Sequence, residues 1–154
     1  MKRALVTLVA FVLVAGVGCK KNEPAPAPPP ETLAAVTTTL PAPPSVSSVS
    51  LGTAIGPDKR VSAPSETFAP KDTIYASVET AGSGHGKLRA LWSYVKGDKT
   101  AKVDETTIEF DSSGPAVNEF HVMKPSGWPK GDYRVEIFLG DGTTPAAART
   151  FKVG

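Results

Sequence analysis

The sequence predicts an all-β protein whose folded part is an antiparallel sandwich of about seven strands. Short runs from residue 46 onwards alternate apolar and polar side chains with a period of two, which is the pattern of half-buried strands. Clusters of Gly, Pro, Asp and Ser separate these runs. No segment shows the 3.6-residue apolar stripe that an amphipathic helix requires.

The predicted strands follow one another at short intervals along the C-terminal two thirds of the chain. They cover residues 49–55, 73–79, 88–95, 107–110, 117–123, 133–139 and 148–153. Turns are predicted at the glycine-rich run 82–86 and at 96–98, 111–115, 125–127 and 141–142. Short strands separated by turn residues at this spacing are typical of a sandwich, so the folded domain is assigned to residues 46–154.

One stretch near the C-terminus resembles immunoglobulin-like domains. Lys130-Gly131-Asp132-Tyr133-Arg134-Val135 is similar to the start of their strand F, where Gly-x-Tyr forms a tyrosine corner. The resemblance implies that Tyr133 locks the corner through its hydroxyl, that Val135 replaces the second cysteine, and that Trp92 is the buried tryptophan of strand C. The chain has a single cysteine, so this predicted core of Trp92, Tyr133 and Val135 would hold by packing alone. This architecture hosts many unrelated functions.

The N-terminus has the parts of a secretory signal. A basic start, Met1-Lys2-Arg3, precedes an uncharged and mostly apolar run over 4–17 and then Gly18 and Cys19. The apolar run is shorter than the roughly 20 residues that a membrane span requires. A buried core strand or helix is the alternative, which the adjoining proline-rich tract disfavours.

The stretch Ala15-Gly16-Val17-Gly18-Cys19 resembles the lipobox of bacterial lipoproteins. In that family the cysteine thiol receives a diacylglyceryl group and a peptidase cuts just before it, which implies a signal peptide at 1–18 and a lipid anchor on Cys19. Gly16 departs from the aliphatic residue usual at its position, and ordinary cleavage that leaves a free thiol is the alternative. The resemblance implies a bacterial cell envelope location. Lys20 favours the outer membrane if the organism has one.

A proline-rich segment follows the cysteine. Of the 15 prolines, 8 fall between Pro24 and Pro44. Proline fixes φ and removes backbone donors, so residues 19–45 are predicted to be a disordered linker that samples polyproline II and spaces the domain from the membrane. The alternative is a proline-rich ligand for a partner protein.

The charges balance once the predicted signal is removed. Without Lys2 and Arg3, the 17 basic residues become 15, against 15 acidic ones. A neutral chain argues against nucleic-acid binding, which needs a basic face to replace counterions on phosphate. There is no phosphate-binding glycine loop, EF-hand or Cys-x-x-Cys motif, so no cofactor is predicted.

The sequence contains no recognisable catalytic constellation, and we predict that the protein is not an enzyme. Gly82-Ser83-Gly84 lacks the Gly-x-Ser-x-Gly spacing of a nucleophile elbow. The two histidines, His85 in a predicted turn and His121 on a predicted strand, lie far apart in sequence and are expected to face solvent. No metal site is predicted from two histidines without supporting motifs.

Two aromatic residues could form a binding surface. Trp128 lies in a predicted loop, and Tyr75 points away from the predicted core face. Exposed aromatic side chains stack on sugars or anchor protein interfaces. The alternatives are that Trp128 plugs the open end of the sandwich and that Tyr75 belongs to the core. Three functions stay open: a binding or assembly module for an envelope partner, a structural envelope protein, and a glycan-binding domain.

Overall fold

The computed structural model describes residues 41–154, and the predicted signal peptide, Cys19 and most of the predicted linker lie outside these residues. Eight strands form the fold: β1 Ser45–Gly52, β2 Thr67–Phe68, β3 Ile74–Ala81, β4 Ser83–Lys96, β5 Lys99–Ser113, β6 Ala116–Val122, β7 Gly131–Leu139 and β8 Ala147–Val153. Among these described residues, no helix has the length and apolar character of a membrane span.

The strands form two sheets. One has three strands in the order β1-β3-β6, and the other has five in the order β2-β8-β7-β4-β5. Every pairing is antiparallel except that of β2 with β8, which is parallel. The predicted all-β, immunoglobulin-like sandwich is confirmed. Strand β2 was not predicted, because a run of two residues is too short to show the alternation of apolar and polar side chains.

The core lies between the two sheets, and its side chains come from the alternating positions of the strands. Trp92, Tyr133 and Val135 are at most 1% exposed, as predicted. Trp92 on β4 lies opposite Val135 on β7, and its ring contacts Phe151 of β8 edge-on at 5.9 Å. Ala76 on β3 is fully buried in the other sheet. The core therefore holds by apolar packing, with Val135 at the position where the resemblance placed the second cysteine.

The hairpin of β4 and β5 is longer than predicted. The glycine-rich run predicted as a turn is strand from Ser83 onwards, so His85 lies on a strand and pairs with Asp111 of β5. Gly86 lies opposite Phe110, and a Cβ on this glycine would come within 2.5 Å of the phenyl ring. The ring thus covers the glycine across the two strands, which lets a glycine-rich segment stay in the sheet.

The chain crosses from one sheet to the other at Gly82. This residue has a φ of 91°, and a Cβ here would overlap the carbonyl oxygen of Pro43. The amide of Ser83 donates a 2.8 Å hydrogen bond to the carbonyl of Ala42. Residues 42 and 43, which the sequence places in the predicted linker, therefore pack on the domain, and the first strand begins at Ser45.

At its C-terminal end, the first strand is shorter than predicted. It ends at Gly52, and Ile55 forms an isolated bridge with Val61 inside the following loop. A Cβ on Gly52 would overlap the Val61 side chain, so the loop folds back over this glycine. The loop is further held by an ion pair between Arg60 and Glu79 of β3.

Candidate functional site

The loop between β6 and β7 is held in place by a buried tryptophan. Trp128 is 3% exposed, and its indole N–H donates a 3.0 Å hydrogen bond to the carbonyl of Asp72. Its backbone N–H donates to the carbonyl of Pro70 at 2.7 Å. Its ring meets the ring of Tyr133 edge-on at 5.2 Å. Of the two interpretations of Trp128, the exposed binding residue is wrong and the plug over the end of the sandwich is confirmed.

Tyr133 ties the end of this loop to the sheet. Its hydroxyl donates a 2.7 Å hydrogen bond to the carbonyl of Pro129, which is the interaction expected of a tyrosine corner. Burial raises the pKa of the Tyr133 hydroxyl, and the neighbouring Tyr94 raises it further. The hydroxyl therefore stays protonated and remains a hydrogen-bond donor in neutral solution.

A groove of about 400 Å³ lies beside this loop, at the end of the sandwich. Four elements contribute its walls: the end of β4, the first part of β5, the β6–β7 loop and, through Tyr133, the start of β7. Its lining residues are Tyr94, Lys102, Val103, Lys124, Ser126, Gly127, Pro129 and Tyr133. The groove thus has an apolar floor and two ammonium groups on its walls.

The two lysines of the groove differ in their partners. The Lys124 ammonium lies 6.0 Å from the centre of the Trp128 ring, and no carboxylate of residues 41–154 lies within 4.0 Å of it. Lys102 donates a 3.0 Å hydrogen bond to Glu105. This bond, together with one from Arg89, holds the pKa of Glu105 below its ordinary value. Lys124 is therefore the ammonium that is more available to an anionic ligand.

The loops around the groove are basic. We call residues 69–73, 96–99 and 123–130 the distal loops. Five of their residues are lysines and two are aspartates: Lys71, Lys96, Lys99, Lys124, Lys130, Asp72 and Asp98. One of the aspartates, Asp72, already accepts a 2.8 Å hydrogen bond from the backbone N–H of Ala69. The distal loops therefore present a positive surface on a chain whose overall charge is nearly balanced.

The groove lies far from the point where the chain enters the sandwich. Strand β4 starts at Ser83, which bonds to Ala42, and reaches the groove at Tyr94. Tyr94 lies eleven residue steps beyond Ser83 along the strand, and at about 3.3 Å each these steps span roughly 35 Å. The chain therefore enters at one end of the domain, and the groove opens at the other.

Tyr75 belongs to a different surface. It lies on the outer face of the three-stranded sheet, where it is half-buried and its ring centre is 5.4 Å from that of His121. His121 in turn lies 3.2 Å from a carboxylate oxygen of Glu119. Tyr75 therefore remains a candidate surface residue. The structure does not bring it together with Trp128.

The two histidines lie on different sheets. His85 is on β4 and lies 3.1 Å from the carboxylate of Asp111, whereas His121 is on β6. Both are exposed, as predicted for solvent-facing positions. Within the described part of the chain, no group of three His, Cys, Asp or Glu side chains is arranged to hold a metal ion.

The comparisons with known proteins bear on the fold. No protein-family model matches the sequence, and no curated protein matches it. The structure is similar to an immunoglobulin-like protein from Pseudomonas aeruginosa, with 15% identity and a TM-score of 0.46 over 73% of this chain and 98% of that one. It is also similar to part of a β-glucosidase from Listeria innocua, with 11% identity and a TM-score of 0.43, but this chain spans only 16% of that enzyme.

A third similar structure is an alkylpurine DNA glycosylase from Pseudomonas fluorescens, with 11% identity and a TM-score of 0.42 over 73% of this chain and 30% of that one. The three proteins differ in what they do, and the similarity to each is one of fold. No activity is carried over from them.

Proposed function

We propose that this protein is a lipid-anchored lipoprotein of the bacterial cell envelope that presents its β-sandwich as a non-enzymatic binding or assembly module. The observation that supports the proposal is that the chain enters the domain at one end and the groove lies at the opposite end. The chain enters next to Gly82, and the groove at Tyr94 lies roughly 35 Å away along β4. A domain tethered at one end presents its opposite end to the surroundings.

The anchor rests on the sequence around Cys19. A lipobox-type cysteine carries two or three acyl chains in the family it resembles, and each buried methylene contributes about 0.8 kcal/mol. Two chains give stable attachment where one gives only marginal binding. The proline-rich residues between Pro24 and Pro44 then act as the spacer.

The side chains of the groove suit binding better than catalysis. Its polar side chains are the ammonium groups of Lys102 and Lys124 and the hydroxyls of Ser126, Tyr94 and Tyr133, the last of which already donates to Pro129. The walls hold no carboxylate or imidazole that could act as a general base beside a nucleophile. Lysines on an apolar floor instead provide charge recognition and buried area for a ligand.

Site-specific photocrosslinking in living cells tests this function. The full-length protein carries a photoreactive phenylalanine at Ser126, in the groove, or at Thr107, an exposed residue of β5 outside it. We expect a discrete adduct with an envelope component from position 126 and a much weaker one from position 107. Equal adducts from both positions, or none, would favour a structural envelope protein over a binding module.

Metabolic acyl labelling tests the anchor separately. We expect the wild-type protein to incorporate labelled fatty acid and the Cys19→Ser variant to lose the label and the membrane association. A wild-type protein without label would refute the anchor, whatever the crosslinking shows.

A further inference from the structure

The groove continues into an unpaired sheet edge. Strand β5 runs from Lys99 to Ser113 and pairs along its length with β4. Over residues 41–154, no strand pairs with its other edge. That edge leaves backbone N–H and C=O groups open to an added strand, which is a common mode of peptide recognition.

A β-bulge brings this edge to the groove. The register between β4 and β5 shifts between Trp92 and Ser93, so that Val103 is an extra residue in β5. Val103 packs against the core and lines the groove, and Lys102 stands next to it on the wall. Bulges often redirect side chains at the margin of a binding site. The edge therefore borders the groove directly at Lys102 and Val103.

The charge of the groove selects a negatively charged ligand. Lys102 and Lys124 face it, and the three distal loops carry five lysines against two aspartates. Positive side chains around a partly apolar site attract carboxylates and steer them during association. The floor, formed by Val103, Pro129 and the aromatic rings, has room for one apolar side chain beside those carboxylates.

The aromatic rings of the groove are poorly placed to stack on sugars. Trp128 and Tyr133 are 3% and 1% exposed, and Tyr133 is stacked on Phe151 with ring centres 5.2 Å apart. Tyr94 packs edge-on against Tyr133, and its ring closes over Gly131. A sugar would need an open ring face, whereas an extended peptide needs an open backbone edge. The structure offers the second of these.

We propose that the groove and the adjoining edge of β5 bind an extended acidic peptide segment of a partner protein. The peptide adds as a strand along residues 99–103, its carboxylates meet Lys102 and Lys124, and one apolar side chain enters the groove. This inference rests on the proposed binding function and identifies the chemical class of its ligand.

Fluorescence anisotropy with synthetic peptides tests the inference on the full-length lipidated protein in detergent micelles. The probe is a short labelled peptide that alternates glutamate and valine. One analogue replaces each glutamate by lysine, and a second carries N-methylated amides at alternate positions so that one edge cannot pair. We expect the acidic probe to bind, the lysine analogue to show no binding, and the N-methylated analogue to bind about tenfold more weakly.

The matched variants are Lys124→Glu and Lys59→Glu, which make the same charge change inside and outside the groove. We expect Lys124→Glu to raise the Kd of the acidic probe about tenfold, because a rim attraction becomes a repulsion of similar size. Lys59→Glu should leave the Kd unchanged. Thermal melting checks that both variants keep the wild-type fold.

Four results would overturn the inference. If Lys124→Glu and Lys59→Glu weaken binding of the acidic probe equally, the probe is held by a general attraction between charges and not by the groove. An N-methylated peptide that binds as well as the probe would exclude strand addition. Polygalacturonate that binds with the same dependence on Lys124 would assign the site to anionic glycans. If Ser126 gives an adduct in cells but no peptide binds, the proposed function stands and the peptide ligand is refuted. If Ser126 gives no adduct, the proposed function itself is refuted.

Discussion

The Tyr133 hydroxyl donates a 2.7 Å hydrogen bond to the carbonyl of Pro129, four residues earlier in the chain. The same tyrosine is 1% exposed in the core and also lines the groove. Pro129 follows Trp128, whose ring fills the end of the sandwich. One hydrogen bond thus connects the packing of the core to the wall of the candidate site, so changes in one should be measurable in the other.

Removing that hydroxyl should weaken the fold moderately. Tyr133→Phe keeps the ring and leaves the Pro129 carbonyl without its partner, and we expect a loss of about 1–2 kcal/mol in the free energy of unfolding. Urea denaturation monitored by tryptophan fluorescence measures the change. Tyr75→Phe is the control, because Tyr75 is only half-buried on the outer sheet face, and it should cost less than about 0.5 kcal/mol. Equal effects from the two variants would contradict the role of the corner.

Truncating Trp128 should destabilise the domain about as much as truncating Trp92. Both rings are buried, and deletion of a buried aromatic side chain costs about 3–5 kcal/mol. Met123→Ala, in the same loop, provides the contrast because its side chain is 55% exposed, and it should cost under about 0.5 kcal/mol. A loss below about 1 kcal/mol for Trp128→Ala in thermal or urea unfolding would show that this ring does not hold the loop.

The alternating pattern of the sequence was sufficient for the sandwich and its core. Trp92 and Val135 occupy the buried positions that the period predicts, because each central strand has one face in the core. The pattern failed at β5, an edge strand whose residues are mostly exposed and therefore show little alternation. It also failed at Gly86, where the space for the Phe110 ring explains the glycine better than a turn does.

The groove could not have been predicted from sequence spacing. Tyr94, Lys102 and Lys124 come from β4, β5 and the β6–β7 loop, so only the register of the sheets brings them together. Tyr94 continues the core-facing alternation of β4 and is only half-buried, because the strand runs past the end of the core. Trp128 did direct attention to the loop that lines the groove, although its own ring anchors that loop and the lysine side chains lie beside it.

A methyl group at Gly82 should detach the chain from the corner where it enters the domain. Gly82 has a positive φ of 91°, and its Cβ would overlap the carbonyl of Pro43, so we expect Gly82→Ala to cost about 2–3 kcal/mol. Gly97→Ala is the control, since Gly97 also has a positive φ, of 58°, but open space around it. It should cost only about 1 kcal/mol. Similar losses in urea denaturation would mean that the close approach of Pro43 contributes nothing.

Glu105 should make the stability of the domain sensitive to acid. Hydrogen bonds from Lys102 and then Arg89 hold its pKa below the ordinary value of 4.5. Because the folded-state pKa is the lower one, the interaction stabilises the fold above about pH 4.5, and this stabilisation is lost as the pH falls through the folded-state pKa. Glu105→Gln should therefore flatten the curve of urea midpoint against pH in this acidic range.

The control for this titration is Glu109→Gln on the same strand. Among the described residues, Glu109 has no cationic partner within 4.0 Å, so Glu109→Gln removes one carboxylate of this strand without breaking an ion pair. The Glu105→Gln curve should approach the wild-type curve at the lowest pH, where the wild-type carboxyl is also neutral. Parallel curves for wild type and Glu105→Gln across the whole range would contradict the assignment.

Shortening the linker should separate residues that act as a spacer from residues that belong to the domain. Deleting residues 24–40 leaves every contact of the described domain in place, and we expect an unchanged Tm. Deleting 24–44 also removes the hydrogen bond from Ser83 to Ala42 and the packing of Pro43 on Gly82, so the Tm should fall by several degrees. Differential scanning calorimetry of both variants makes the comparison. An equal Tm for the two deletions would show that residues 41–44 do not stabilise the domain and belong to the linker. A lower Tm with the shorter deletion would show that residues before 41 also stabilise the fold.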